Sequence, residues 1–187
     1  MKTQGHFFTT KNIVSLGLLI AATVALQAIS IIIPTPVNMN LSLIPITIAS
    51  ILYGPIAGGI IGLVSGVMVL VSPNTVTMFM AISPVATVFA CLTKTMIAGV
   101  VAGLVAKLCY HFDKKILGAV LASILVPVVN TGIFVIFCLC WFMEGLGLTS
   151  FGMIFTALIG VNFLIEVVMN VVICPTLNNV LQQVKHN

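Results

Sequence analysis

Two ionisable side chains, Lys94 and Glu166, each stand deep inside a long run of apolar residues. A charge in such surroundings is costly and normally faces a partner or a cavity. Asn162, Glu166 and Asn170 recur at four-residue spacing, so on a helix they form one polar stripe. Asn130 and Thr131 reach a comparable depth in the preceding run, beside Gly132, and Lys94 with Thr93 and Thr95 supplies a third wall. An ammonium group holds a carboxylate, and amides pair with hydroxyls or other amides. These residue types at overlapping depths suit the recognition of a small polar solute in an enclosed site. The competing arrangement pairs Lys94 with Glu166 and leaves the asparagines to bond between helices, contacts that average about 0.6 kcal/mol in membranes. Both arrangements stand, because an ion pair can open to accept a ligand. Thr93 and Thr95 are expected to bond back to their own helix.

Other chemistries find no footing. There is no G-x-x-x-x-G-K-[ST] phosphate loop, no nucleophile beside a base and no carboxylate pair, since Glu166 is the one acid within the apolar runs. Cys91, Cys109, Cys138, Cys140 and Cys174 are odd in number and irregular in spacing, which fits small core residues better than a disulfide framework. Cys138 and Cys140 would point to different faces of a helix, and His6, His111 and His186 lie outside the apolar runs. No catalytic residue, cofactor or metal site is expected. Recognition or transport remains, and uphill transport would need energy from a partner or an ion gradient.

The elements that position these residues follow from composition. Of 187 residues, 60% are hydrophobic and 5% charged, too few charges for a water-facing surface. The expected fold is all-α and integral to a membrane, a single domain over residues 1–187. Apolar stretches run over about 13–33, 41–53, 55–72, 83–108, 116–141 and 151–175. The second and third are short for a span of about 20 residues, so residues 41–72 could instead be one long helix. Lysine position decides. With six passes in a compact bundle and both termini cytoplasmic, Lys2, Lys11, Lys107, Lys114, Lys115 and Lys185 all fall inside and Glu144 outside. Five passes would send the Lys107–Lys115 cluster across the membrane. Gly54 and Pro55 then form a tight cytoplasmic turn. The first apolar stretch is too long for a signal-peptide core, so a cleaved signal is not expected. The net charge of +4 suits an anionic inner leaflet of the plasma membrane, and nothing suggests nucleic-acid binding. The outer connections carry Asn38 and Asn40 in one, Asn74 and Thr77 in the other, and read either as lids over a pocket mouth or as ordinary exposed loops. Trp141 reads as an interface anchor.

Three stretches carry a family resemblance over essentially the whole chain. The first helix holds Ala21 and Ala25 in an A-x-x-x-A arrangement. Leu43-Ile44-Pro45-Ile46 is followed by Tyr53-Gly54-Pro55-Ile56-Ala57-Gly58-Gly59 and Gly62-Leu63-Val64-Ser65-Gly66, and Ile97-Ala98-Gly99-Val100-Val101-Ala102-Gly103-Leu104 closes the fourth run. In this order and spacing the chain resembles the substrate-binding S components of energy-coupling factor (ECF) vitamin transporters. The resemblance implies a ligand entering from outside into a pocket of the fourth to sixth helices, under extracellular lids. It also implies a transmembrane coupling subunit and two cytoplasmic ATPase subunits as partners, with Ala21 and Ala25 against the coupling subunit. The physical ground is that alanine at four-residue spacing permits close helix approach; packing within the bundle is the other reading.

The candidate solute contacts are thus Asn38, Asn74, Lys94, Asn130, Thr131, Asn162, Glu166 and Asn170. A carboxylate for Lys94 with hydroxyls or amides for the asparagines puts pantothenate first among water-soluble vitamins or their precursors. Two other readings compete: a solitary carrier with Glu166 as its proton-coupling site, and a non-transport membrane assembly subunit in which the polar stripe joins helices.

Overall fold

The computed structural model describes residues 10–32, 40–147, 152 and 160–186. Among these there are six α-helices and no strands: α1 (Thr10–Ile32), α2 (Leu43–Tyr53), α3 (Pro55–Leu70), α4 (Pro84–His111), α5 (Lys115–Phe137) and α6 (Gly160–His186). Two short π-helical segments, Thr75–Met80 and Cys138–Phe142, precede α4 and extend α5. By length and composition, α1, α4 and α5 with its extension are able to cross a membrane, while α2, α3 and the apolar part of α6 are shorter. Pro55 and Pro84 each occupy the first turn of a helix, where the missing N–H costs nothing. Pro127 and Pro175 lie within α5 and α6 without ending them, so α6 runs on past the expected limit near 175.

Residues 41–72 are not one long helix. The chain reverses at Gly54, whose φ of 86° a side chain would disfavour. Ser42 Oγ then meets Ser65 Oγ, and a Cβ at Gly58 would meet Ser50 Oγ, so α2 and α3 lie antiparallel. α2 sits at the centre of the bundle. Residues Leu43 to Ile51 are all buried, and the helix touches all five others. At 11 residues and 1.5 Å per residue it is roughly 16 Å long, about half the hydrocarbon thickness of a bilayer.

The glycines of the third and fourth stretches form one seam. On α3, Gly58, Gly62 and Gly66 face Gly99, Thr95 and Cys91 of α4, and the Pro55 backbone faces Gly103. A Cβ at Gly66 would stand 2.7 Å from Cys91 O, and one at Gly103 would stand 2.5 Å from Pro55 Cα. Small residues let these backbones touch, which is how membrane helices associate when no hydrophobic force distinguishes neighbour from lipid. The antiparallel α4–α5 pair follows through a turn at residues 112–114, where Asp113 takes φ 58°. On the other side, Thr47 Oγ1 donates to Asn170 Oδ1 at 2.9 Å and Cys174 Sγ approaches Ile44 O, fixing α6 antiparallel to α2.

α1 is the least embedded helix. Leu16, Leu19 and Ile20 pack on the core, while Ile13, Val14, Leu18, Val24 and Ile32 are exposed. Ala21 and Ala25 lie among the exposed residues, so they take no part in packing the bundle. Cys138 is buried and Cys140 exposed, on different faces. Thr93 and Thr95 bond back to Phe89 O and Cys91 O.

Candidate solute-binding site

The C-terminal ends of α1, α3 and α5 and the N-terminal ends of α2, α4 and α6 gather at one end of the bundle, opposite Gly54 and the 112–114 turn. A cavity of about 200 Å³ opens there. It would hold roughly six or more waters at about 30 Å³ each, room for a small solute. Five of the six helices contribute, together with the residue Asn40 ahead of α2. α1 supplies Gln27, Ser30 and Ile31, and Asn40 precedes α2. The end of α3 supplies Val69, the connection after it Ser72 and Asn74, and the first π segment Thr75, Met78 and Phe79. From α4 come Thr87, Ala90, Cys91 and Lys94; from α5 and its extension Asn130, Thr131, Phe134 and Phe142; from α6 Asn162, Phe163 and Glu166.

Six of the candidate contacts therefore line one space: Asn74, Lys94, Asn130, Thr131, Asn162 and Glu166. Asn38 lies outside the described residues. Asn170 does not line the cavity. It is 1% exposed, accepts from Thr47, and its Nδ2 donates to Glu166 O at 3.0 Å, so the stripe on α6 divides. Asn162 and Glu166 face the cavity, and one turn further on Asn170 joins α6 to α2.

The two charged residues are not an ion pair; among the described residues no salt bridge joins them. Lys94 Nζ lies 4.8 Å from the centroid of the Phe134 ring. A cation over an aromatic face is stabilised by about 0.5–2 kcal/mol and keeps its N–H donors for another partner. Glu166 Oε1 instead accepts the backbone N–H of Asn40 at 3.1 Å. Asn40 Oδ1 in turn accepts from Ser42 Oγ at 2.6 Å, and Ser42 bonds Ser65, a relay that ties α6 through the start of α2 to α3. The carboxylate thus positions a connection at the cavity wall.

Phe79 meets Phe134 edge-on at 5.5 Å and Phe142 at 5.2 Å. These rings and Phe163 belong to one apolar cluster and line the cavity together. Trp141 lies outside the site, exposed and stacked on Phe137. Sequence reasoning missed Gln27, the phenylalanines and α1's share in the site. Gln27 alone had a readable signal, as a lone amide deep in the first apolar run; the phenylalanines are indistinguishable by type from lipid-facing ones.

An apolar all-helical bundle enclosing a polar-lined cavity, with a free ammonium group and several amides at its wall, defines a membrane-embedded binding protein for a small solute. The family model for the ECF transporter, substrate-specific component, matches residues 11–178, and the chain belongs to that family. It is therefore a substrate-specific uptake subunit of a membrane transporter, in a family of binding components rather than enzymes. Such components generally work with a coupling subunit and ATPases. No curated protein and no solved structure gives a significant match.

Proposed function

We propose that this chain is the high-affinity binding subunit for uptake of a water-soluble vitamin or vitamin precursor, pantothenate first among them. Uptake is energised by a separate module of one transmembrane coupling subunit and two cytoplasmic ATPase subunits. The observation that carries the ligand class is Lys94, held over the Phe134 ring without an ion-pair partner among the described residues, at the wall of a small cavity that amides and phenylalanines share. A carboxylate on the solute completes that site, and the hydroxyls and amide of pantothenate match Asn130, Thr131 and Asn162. The chain crosses the plasma membrane six times with both termini inside, because that arrangement keeps Lys107, Lys114 and Lys115 cytoplasmic. The cavity, at the opposite end, then faces outward, with Asn74 at its wall. Ala21 and Ala25, exposed on α1, meet the coupling subunit.

Uptake of labelled pantothenate into cells that express the chain with and without the ATPase module tests this, together with mass spectrometry of solutes that copurify with it. Accumulation should require the module. Uphill uptake that persists without it and collapses with a protonophore would instead establish a solitary carrier. Glu166 does not favour that alternative, since its carboxylate already holds the Asn40 N–H.

A further inference from the structure

Gln27 and Asn130 are 6% and 5% exposed, and Gln27 Oε1 and Asn130 Oδ1 are buried acceptors without a hydrogen-bond partner among the described residues. Both residues line the cavity, from α1 and α5. Their neighbours show that this is not how the chain treats buried polar groups. Thr23, Thr87 and Thr95 each donate to a carbonyl of their own helix, Ser42 and Ser65 bond each other, and the amide of Asn170 is engaged at both its oxygen and its nitrogen. An unpartnered buried acceptor is destabilising and uncommon, so two on one cavity point to a donor that the described residues do not supply. Lys94, the cation at this wall, is over Phe134 and bonds neither.

We infer that Gln27 and Asn130 set the specificity of the site by demanding two hydrogen-bond donors, hydroxyl or amide N–H, on a part of the solute distinct from the group that meets Lys94. This rests on the solute-binding reading above and adds a residue of α1 to the recognition surface. A simple carboxylate or a flat apolar acid would satisfy Lys94 and the phenylalanines but strand both acceptors. Sites built around such hydrogen bonds reject analogues that lack them far more strongly than apolar pockets reject an extra methylene.

The test is calorimetric titration of the purified protein with pantothenate and with its analogue in which both hydroxyls are replaced by hydrogen. Wild type is compared with Gln27→Met and Asn130→Leu, and ligand-free melting temperatures are recorded for all three. Wild type should prefer pantothenate by about tenfold or more. Each variant should lose the part of that preference that its own acceptor carries, and should melt without ligand at or above wild type. A preference intact in both variants overturns the inference. So does ligand-free melting of both variants below wild type, which would mean that the amides serve the fold. Should wild type bind neither acid, the pantothenate assignment fails, and the melting comparison alone decides the inference.

Discussion

Replacing Gly62 with alanine puts a methyl group into the α3–α4 seam, and its cost can be worked from the local geometry. The new Cβ would lie 2.8 Å from Thr95 C and 3.0 Å from Met96 Cα, with Thr95 O closer still. Carbon atoms settle at about 3.5–4.0 Å, so the helices must part by roughly 0.5–1 Å, a gap that forfeits a quarter to a half of each contact's attraction. All three atoms are backbone and none can rotate away. Overpacking of this kind costs about 1–3 kcal/mol. Alanine also favours a helix over glycine by about 0.5–1 kcal/mol. Gly17→Ala supplies the correction, because nothing lies within 4 Å of a Cβ there. The difference between the two variants isolates the seam. For a chain of 187 residues, about 2–4 °C per kcal/mol makes it roughly 2–12 °C in melting temperature. The assay is thermal unfolding of both purified variants in the same detergent. Gly62→Ala should also weaken solute binding, since Lys94 and Cys91 ride on the displaced helix. Equal melting of Gly62→Ala and Gly17→Ala would refute the claim that backbone contact, rather than side-chain packing, holds α3 to α4.

Lys94→Met and Asn162→Ala should each weaken pantothenate binding by about 1–3 kcal/mol while the protein still folds, the loss expected for a buried or charged hydrogen-bond partner; calorimetry that finds both unchanged would remove the solute from this cavity. Ala21→Trp and Ala25→Trp should abolish copurification with the coupling subunit yet spare solute binding, as both residues are exposed and neither lines the cavity. Asn170→Leu should leave solute affinity unchanged and cost about 0.6 kcal/mol of stability, the average for an interhelical hydrogen bond in a membrane. The hydroxyl of Thr47 is not stranded, because its proton has Leu43 O at 2.8 Å as the other acceptor within reach, and a large loss of affinity would show that the site extends a turn deeper.

The helices were legible because an apolar chain of this length has few alternatives, and the reversal at Gly54 was legible from lysines some fifty residues away. That Lys94 and Glu166 would reach the same level of the bundle was also readable, since rise per residue converts position into height, and both line one cavity. Whether the two would pair was not. Their separation depends on the Phe134 ring that takes Lys94 and the Asn40 amide that takes Glu166, and both come from other elements. Asn170 shows the same limit. Four-residue spacing places Asn162, Glu166 and Asn170 on one face but does not say at which turn that face passes from cavity to packed helix. The start of α2 decides this, because Thr47 stands level with Asn170.

The two ends of the bundle differ for a reason that the π segments make plain. Near Gly54 the backbones of α3 and α4 are in contact. At the other end the wall is aromatic, and Phe79 must meet Phe134 and Phe142 together. On a regular helix of 3.6 residues per turn, Phe142 would sit about 80° around the axis from Phe134. A π turn closes on the fifth following residue rather than the fourth and so slows that rotation. The Cys138–Phe142 segment is π-helical, and Cys138 and Phe142 are both buried on the side that Phe134 occupies. Phe79 itself comes from the other π segment, Thr75–Met80. Both departures from regular helix thus serve the same three-ring contact, and Phe134 is the ring beneath Lys94. The irregular backbone thus aims the ring that Lys94 lies over.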